Sequence, residues 1–201
     1  DQNLVLPWVR AAALPDLWQA ARKAGWARSN IRLLTDMIAC PGGDFCSLAN
    51  ARSLPIAEAI TQRYQDMDEL HDLGEIDLHI SGCINSCGHH HSGHIGILGV
   101  DKDGQEWYQV TLGGSDGSTL SGASTPGKVV GPSFAAAEVP GVIEAVLDTY
   151  RVYRASPGAR SETFIDTLRR IGIDPFKSAA NGARQTTQRG AASAATEALQ
   201  A

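Results

Sequence analysis

The sequence predicts an α+β fold built on a mixed or antiparallel sheet that is flanked by helices. Strand-like runs occupy the middle of the 201-residue chain, helical patterns lie before and after them, and an Asp-Gly pair joins two of the strands. The length allows one well-buried domain with an appendage, and a hydrophobic fraction of 43% is normal for a globular protein. We therefore expect a packed core in which helices cover one face of the sheet.

The first third of the chain carries a short helix, a buried strand and further helical patterning. Apolar residues recur at helical spacing over 15–24. The apolar run 31–38 predicts a strand that leads to Cys40 and its Pro-Gly-Gly turn. Helical patterning returns over 48–52 and 56–67, which places helices after the first cysteines.

The middle of the chain predicts three strands. Residues 76–80 alternate between apolar and polar and end just before Cys83, as a half-buried strand would. Two further strand-like runs, 94–100 and 107–112, are joined through Asp103-Gly104, and this dipeptide is a strong hairpin signal. A β-hairpin is therefore expected here.

The last part of the chain predicts two helices and a tail. Apolar stripes at helical spacing cover 139–150 and 164–171. Residues 113–126 are rich in Gly, Ser and Thr, which fits either a flexible loop or a ligand-contacting one. Residues 178–201 have little apolar surface to offset the entropy of ordering, so we expect a flexible low-complexity tail.

Net charge and hydropathy limit the kinds of binding partner and the location that are expected for this chain. The net charge is −5 and no run of Lys or Arg occurs, which argues against nucleic acid and anionic membranes as partners. No stretch approaches the roughly 20 apolar residues that span a bilayer, and no secretion signal opens the chain, so a cytoplasmic location is expected. The chain lacks a starting Met and opens on an apolar run, as a piece of a longer protein would.

The four cysteines form two close pairs in Gly-rich turns after predicted strands. Cys40 and Cys46 have a C-x5-C spacing, and Cys83 and Cys87 have a C-x3-C spacing. Four thiolates satisfy a cubane cluster, and glycines let backbone amides approach the sulfurs and tune the reduction potential. The cysteines therefore predict a site for a four-iron, four-sulfur cluster.

Two other uses of four cysteines remain open at this point. Structural disulfides are disfavoured because this chain has enough apolar residues to fold without them. Structural zinc prefers spacings of C-x2-C to C-x4-C on both arms, so the wide C-x5-C arm favours a cluster without excluding zinc.

A dense group of histidines follows the second cysteine pair. Imidazoles here could bind a metal, deliver protons or bind an anion, or they could simply hydrogen-bond the loop or face solvent. Consecutive residues cannot all point at one site, so the roles stay open for His89, His90, His91 and His94. His71 and His79 lie outside the group, and no catalytic role is expected for them.

The residues around the cysteines resemble a known family. Residues 35–41 with Cys46, and then 82–88, are similar to the siroheme-dependent nitrite and sulfite reductases. The continuation over 89–100 is most similar to the hemoprotein subunits of bacterial assimilatory sulfite reductases. The resemblance runs from the first residues to about residue 177.

The resemblance implies a domain organisation and two cofactors. Residues 1–30 would end a second ferredoxin-like half-domain, and 31–177 would form the cluster- and siroheme-binding module. All four cysteines would bind one 4Fe-4S cluster, with Cys87 also bridging to the siroheme iron. Asn85 matches a motif position and would shape the cysteine loop.

The resemblance also implies an activity and its partners. The family passes electrons from a ferredoxin or a flavoprotein reductase to siroheme, where six electrons reduce sulfite to sulfide. Nitrite reduction to ammonia is the alternative reaction, and a non-catalytic iron–sulfur electron-transfer module is the alternative class. The basic residues that hold the anion in this family come from the N-terminal half, so no catalytic residue is assigned here and this chain alone is expected to be inactive.

Overall fold

A computed structural model describes residues 4–118, 122–156 and 161–184. The strands are β1 Ile38–Ala39, β2 Leu78–Ser81, β3 Ile95–Lys102, β4 Gln105–Leu112, β5 Lys128–Val129 and β6 Phe134–Ala135. The helices are α1 Leu14–Lys23, α2 Leu54–Arg63, α3 Met67–Leu73, α4 Val139–Tyr153, α5 Phe164–Ile171 and a final helix α6 over 174–184. No helix within these ranges is long and apolar enough to cross a bilayer.

The strands form one mixed sheet in the order β1-β2-β3-β4-β5, and β6 also pairs with β4. Strands β1, β2 and β3 are mutually parallel, whereas every partner of β4 runs antiparallel to it. With helices packed around this sheet, the predicted α+β class is confirmed.

The β3–β4 hairpin is the longest pairing in the sheet. It runs in continuous register from Ile95 opposite Leu112 to Lys102 opposite Gln105. Asp103 and Gly104 have φ values of 56° and 75°, the left-handed conformation that a two-residue hairpin turn requires at both positions. The predicted hairpin is confirmed.

A hydrophobic core lies between the sheet and the helices α2 to α6. Phe164 is central to it and makes edge-to-face contacts with Tyr150 and Phe176 at ring distances of 5.6 and 5.9 Å. The Tyr150 hydroxyl lies 3.2 Å from the carbonyl oxygen of Leu73 and 2.8 Å from that of Glu162. The stripe predicted over 139–150 therefore faces the core as expected.

The prediction of a strand over 31–38 is wrong except at residue 38, where β1 begins. Ile38–Ala39 forms a strand, whereas Leu33 makes only an isolated bridge with Glu75 and Arg32 adopts a left-handed conformation with φ of 63°. The Arg32 amide donates to the Asp36 carboxylate over 2.8 Å, which closes a turn that an apolar pattern cannot reveal. Leu33 and Leu34 are nevertheless buried, which explains the strand-like pattern.

Two further predictions need correction. Residues 48–52 form turns and bends instead of a helix. The predicted tail begins too early, because α6 continues to residue 184, Ala180 is fully buried and the Arg184 guanidinium donates to the carbonyl oxygen of Pro132 over 2.9 Å. The remainder of that tail, 185–201, lies outside the described residues, as do 119–121 of the Gly-rich segment.

Candidate metal centre

The two cysteine pairs follow adjacent parallel strands. Ala39 in β1 pairs with Ile80 in β2, and the Cys40 amide donates to the carbonyl oxygen of Ile80 over 3.0 Å. Cys83 follows β2 by two residues. Because parallel strands end at the same edge of a sheet, the two pairs emerge side by side.

The loops that carry the cysteines touch at two glycines. A Cβ on Gly82 would lie 2.8 Å from the Cα of Gly42 and 2.6 Å from the carbonyl oxygen of Ala51. A Cβ on Gly42 would lie 2.4 Å from the Ser53 amide nitrogen. The amides of Asn50 and Ala51 both donate to the Gly82 carbonyl oxygen, over 2.9 and 3.0 Å. Only glycines allow this approach, which fixes one loop against the other.

Polar groups surround the sulfur of Cys40. The Gly82 amide donates to it over 3.1 Å, and the buried Ser53 hydroxyl lies 3.5 Å away. Donors of this kind stabilise negative charge on sulfur, so they suit a metal-bound thiolate. Sequence reasoning anticipated backbone amides near the sulfurs but missed Ser53, which follows the first cysteine pair and belongs to no cysteine motif.

Exposure differs among the cysteines, all of which are free thiols. Cys40 and Cys83 are each 8% exposed, Cys46 is half-buried and Cys87 is exposed. Large apolar side chains beside them point outward, with Phe45 81% and Ile84 77% exposed. The site therefore combines two buried thiols with an exposed one, and both loops also carry an exposed apolar side chain.

The four cysteines lie on two loops that adjoin each other. Within 4–118, 122–156 and 161–184, no three His, Cys, Asp or Glu side chains converge closely enough to hold one metal ion. Four cysteines outside any disulfide, on two adjoining Gly-rich loops, fit the ligand set of a cubane cluster.

The histidine group does not converge on one site. His89 and His91 are exposed, whereas His90 and His94 are buried. His90 lies within the second cysteine loop, where its Nδ1 atom is 3.2 Å from the hydroxyl oxygen of Ser86. Burial lowers the pKa of His90 to about 4, so this ring is neutral near pH 7.

His94 immediately precedes β3, and its ring contacts Asp77. The Asp77 amide donates to its Nδ1 atom over 3.3 Å, and its Nε2 atom lies 3.7 Å from the Asp77 carboxylate. Burial lowers the pKa of His94, against the opposing effect of the Asp77 carboxylate.

His71 is exposed on α3, and His79 in β2 contacts the carbonyl oxygen of His89 over 3.0 Å. Asn85 lies exposed two residues before Cys87, and its predicted role in shaping the loop stays a prediction.

The chain matches a family model over residues 32–187, described as the nitrite and sulphite reductase 4Fe-4S domain. It is 28% identical over 163 residues to the assimilatory ferredoxin-dependent nitrite reductase of Haloferax mediterranei, covering 77% of this chain and 27% of that protein. It is 31% identical over 121 residues to the ferredoxin–nitrite reductase of Synechococcus elongatus, covering 58% of this chain and 23% of that protein. The chain thus spans about a quarter of these relatives.

Solved structures share the fold. The Mycobacterium tuberculosis NirA protein aligns with a TM-score of 0.62 and 24% identity, covering 84% of this chain and 31% of that one. A dissimilatory sulfite reductase I aligns with a TM-score of 0.66 and 16% identity, covering 86% of this chain and 58% of that one. The family model and the nitrite reductase relatives support an iron–sulfur cluster and siroheme as cofactors. The chain therefore belongs to the siroheme-dependent nitrite and sulfite reductase family.

Proposed function

We propose that this chain is the cluster- and siroheme-binding part of a sulfite reductase that reduces sulfite to sulfide with six electrons. The ligands of the 4Fe-4S cluster in this proposal are Cys40, Cys46, Cys83 and Cys87. Cys87 would also hold the siroheme iron, so that one thiolate would serve both cofactors. The observation that carries the proposal is the contact of the two cysteine loops at Gly42 and Gly82, together with the exposure of Cys87.

The different exposures of the four cysteines support different roles for them. A thiolate that serves only the cluster can be enclosed by protein, as Cys40 and Cys83 are. A thiolate shared with a second cofactor must be reachable from outside the cluster loops, as Cys87 is. The exposed side chains of Phe45 and Ile84 lie in the same two loops and offer apolar surface to a flat macrocycle.

When bound, the two cofactors supply the path by which electrons reach the substrate anion. The residues of this chain hold and orient them. The Gly82 amide and the Ser53 hydroxyl stabilise charge on the Cys40 sulfur, and the short contact of Gly82 with Gly42 keeps the loops in place. The basic residues that bind the anion are expected in the portion of the relatives that this chain does not span.

Nitrite reduction to ammonia is the second candidate. Three relatives carry the name of ferredoxin-dependent nitrite reductases, from Haloferax, Synechococcus and spinach. The similarity of residues 89–100 to bacterial sulfite reductases favours sulfite instead. A ferredoxin or a flavoprotein reductase is proposed as the electron donor, and a cytoplasmic location is proposed for the enzyme.

The proposal is tested with the full-length protein, purified without oxygen. Iron, acid-labile sulfide and siroheme are measured first, followed by kcat/KM for sulfite and for nitrite with a chemically reduced viologen as donor. We expect four irons and four sulfides with one siroheme, and a higher kcat/KM for sulfite. A higher value for nitrite would replace sulfite with the second candidate. A protein with the cluster but no siroheme would be an electron-transfer module instead.

A further inference from the structure

The backbone just before Cys87 adopts a conformation that needs support. Ser86 has φ of 58°, in the left-handed region that is unfavourable for a non-glycine residue. Its hydroxyl oxygen lies 3.2 Å from the Nδ1 atom of His90, which hydrogen-bonds across the turn. The side chain of His90 thus holds the residue that immediately precedes the most exposed cysteine.

His90 is itself held firmly in the fold. It is fully buried, and its carbonyl oxygen would lie 2.0 Å from a Cβ on Gly96, so β3 passes directly against its backbone. Its ring contacts that of His91 in a tilted arrangement, with a centroid distance of 3.9 Å and an interplanar angle of 43°. Because it cannot shift without moving β3, His90 is a fixed point for the loop.

Burial of His90 is expensive for the fold. In the part of the chain that the structure describes, its Nε2 atom is buried without a hydrogen-bond partner. A buried polar atom without a partner lowers the stability of a fold. The hydrogen bond between the Nδ1 atom and the Ser86 hydroxyl offsets part of this cost and ties the ring to the residue before Cys87.

The backbone after Cys87 is fixed from the other side. The Gly88 amide donates to the Ser81 hydroxyl over 3.1 Å at the end of β2. A Cβ on Gly88 would lie 2.0 Å from the carbonyl oxygen of Ile80, so the chain is pressed against that strand. The backbone before Cys87 is therefore held by His90 and the backbone after it by β2, although the Cys87 side chain is exposed.

We propose that His90, acting through Ser86, is a positioning residue that sets where the Cys87 sulfur lies and thereby the coupling between cluster and siroheme. The inference rests on the proposed function, because Cys87 is taken as the thiolate that the two cofactors share. His90 touches neither cofactor in this proposal. Loss of the Ser86–His90 bond leaves the fold intact and lets the Cys87 sulfur move.

The test compares five variants of the full-length holoenzyme, one of which is the double variant His90→Leu/Ser86→Ala. His90→Leu fills the cavity without a hydrogen bond, His90→Asn keeps a polar group near the Nδ1 position, and Ser86→Ala removes the partner hydroxyl. His71→Leu is the matched control, because this exposed histidine on α3 lies outside the cysteine loops. The readouts are iron, sulfide and siroheme content, the spectroscopic signature of magnetic coupling between the cofactors, and kcat and KM separately.

His90→Leu and Ser86→Ala should each weaken the coupling signature and lower kcat by about 10- to 100-fold, the usual effect of removing a partner that orients a metal ligand. KM should stay within about twofold, because the anion-binding groups are untouched. His90→Asn should recover most of the loss, and the double variant should be no worse than either single one. His71→Leu should match the wild type.

Wild-type coupling and kcat in both His90→Leu and Ser86→Ala would overturn the inference while leaving the proposed function standing. Equal damage from His90→Asn and His90→Leu would also overturn it, since a hydrogen-bonding role predicts rescue. If His90→Leu fails to fold, Ser86→Ala alone decides. A wild-type protein without siroheme would instead refute the proposed function, and the two failures are thereby distinguished.

Discussion

The Gly82 amide donates a 3.1 Å hydrogen bond to the sulfur of Cys40, although the two residues lie on different cysteine loops. The bond exists because Gly82 lies against Gly42 and Ala51 with no room for a side chain. One glycine therefore sets both the spacing of the loops and the charge environment of a proposed cluster ligand.

Gly82→Ala should damage the metal centre. Its Cβ would lie 2.6 Å from the Ala51 carbonyl oxygen, so the loops must separate, at a cost of about 1 to 3 kcal/mol. Iron and sulfide retained by the purified protein should fall, with an affinity loss of about tenfold or more. Gly182→Ala is the control, because that position in α6 has nothing within 4 Å of a new Cβ. Equal cluster content in both variants would show that loop spacing does not matter.

Cys87→Ser should abolish cluster assembly and reductase activity in the full-length enzyme. A serine oxygen is a poor substitute for the thiolate that the cluster requires, and the bridge to siroheme is lost with it. His71→Ala should leave both properties nearly intact, because this side chain is exposed on α3. Iron, sulfide and siroheme analysis with a turnover assay measures both. An active Cys87→Ser enzyme would remove Cys87 from the site.

Local signals in the sequence identified the parts of this fold that depend on neighbours along the chain. Asp103 and Gly104 specify their own turn, and the alternation of 76–80 placed a strand before Cys83. The run 31–38 failed because its outcome depends on the Asp36 side chain, which closes a turn around Arg32. Apolar patterning reports burial here and not backbone conformation.

The cysteines of the candidate site could be predicted from the sequence, but the residues that hydrogen-bond to them or to their loops could not. The Ser53 hydroxyl lies near the Cys40 sulfur because the chain after Cys46 folds back against Gly42, and the Ser86–His90 bond depends on a left-handed conformation at Ser86. Neither backbone conformation is visible as a motif in the sequence. The histidine group was visible as a group, yet only the fold separates buried His90 from exposed His89.

Phe164→Ala should destabilise the chain by about 3 to 5 kcal/mol, the usual cost of emptying a buried aromatic site. Phe164 is fully buried and contacts Tyr150 and Phe176 edge-to-face, so its removal leaves a cavity among three helices. Val152→Ala on α4 is the control: this side chain is 77% exposed, and its loss should change stability by less than about 0.5 kcal/mol. Urea unfolding followed by circular dichroism measures both. Similar midpoints for the two variants would contradict the assigned core.

The stabilisation that the Glu162 carboxylate gives to the fold should be lost in acid. Hydrogen bonds from Arg170 are the main cause that holds the pKa of Glu162 at about 2, aided by bonds from the Ala155 amide and the Thr167 hydroxyl. An unfolded chain would titrate this carboxyl near its ordinary value of about 4.3. Because the folded-state pKa is the lower one, the stabilisation is complete above about pH 5 and disappears as the pH falls toward 2.

Glu162→Gln isolates this effect, because glutamine keeps the shape of the side chain and removes its charge. The difference in unfolding free energy between wild type and variant should be largest at neutral pH and shrink steadily between about pH 5 and pH 2. Urea titrations at several pH values across that window measure it. A difference that stays constant with pH would mean that the bonds from Arg170 and Thr167 act through geometry alone, since only the ionised carboxylate gains from a lowered pKa.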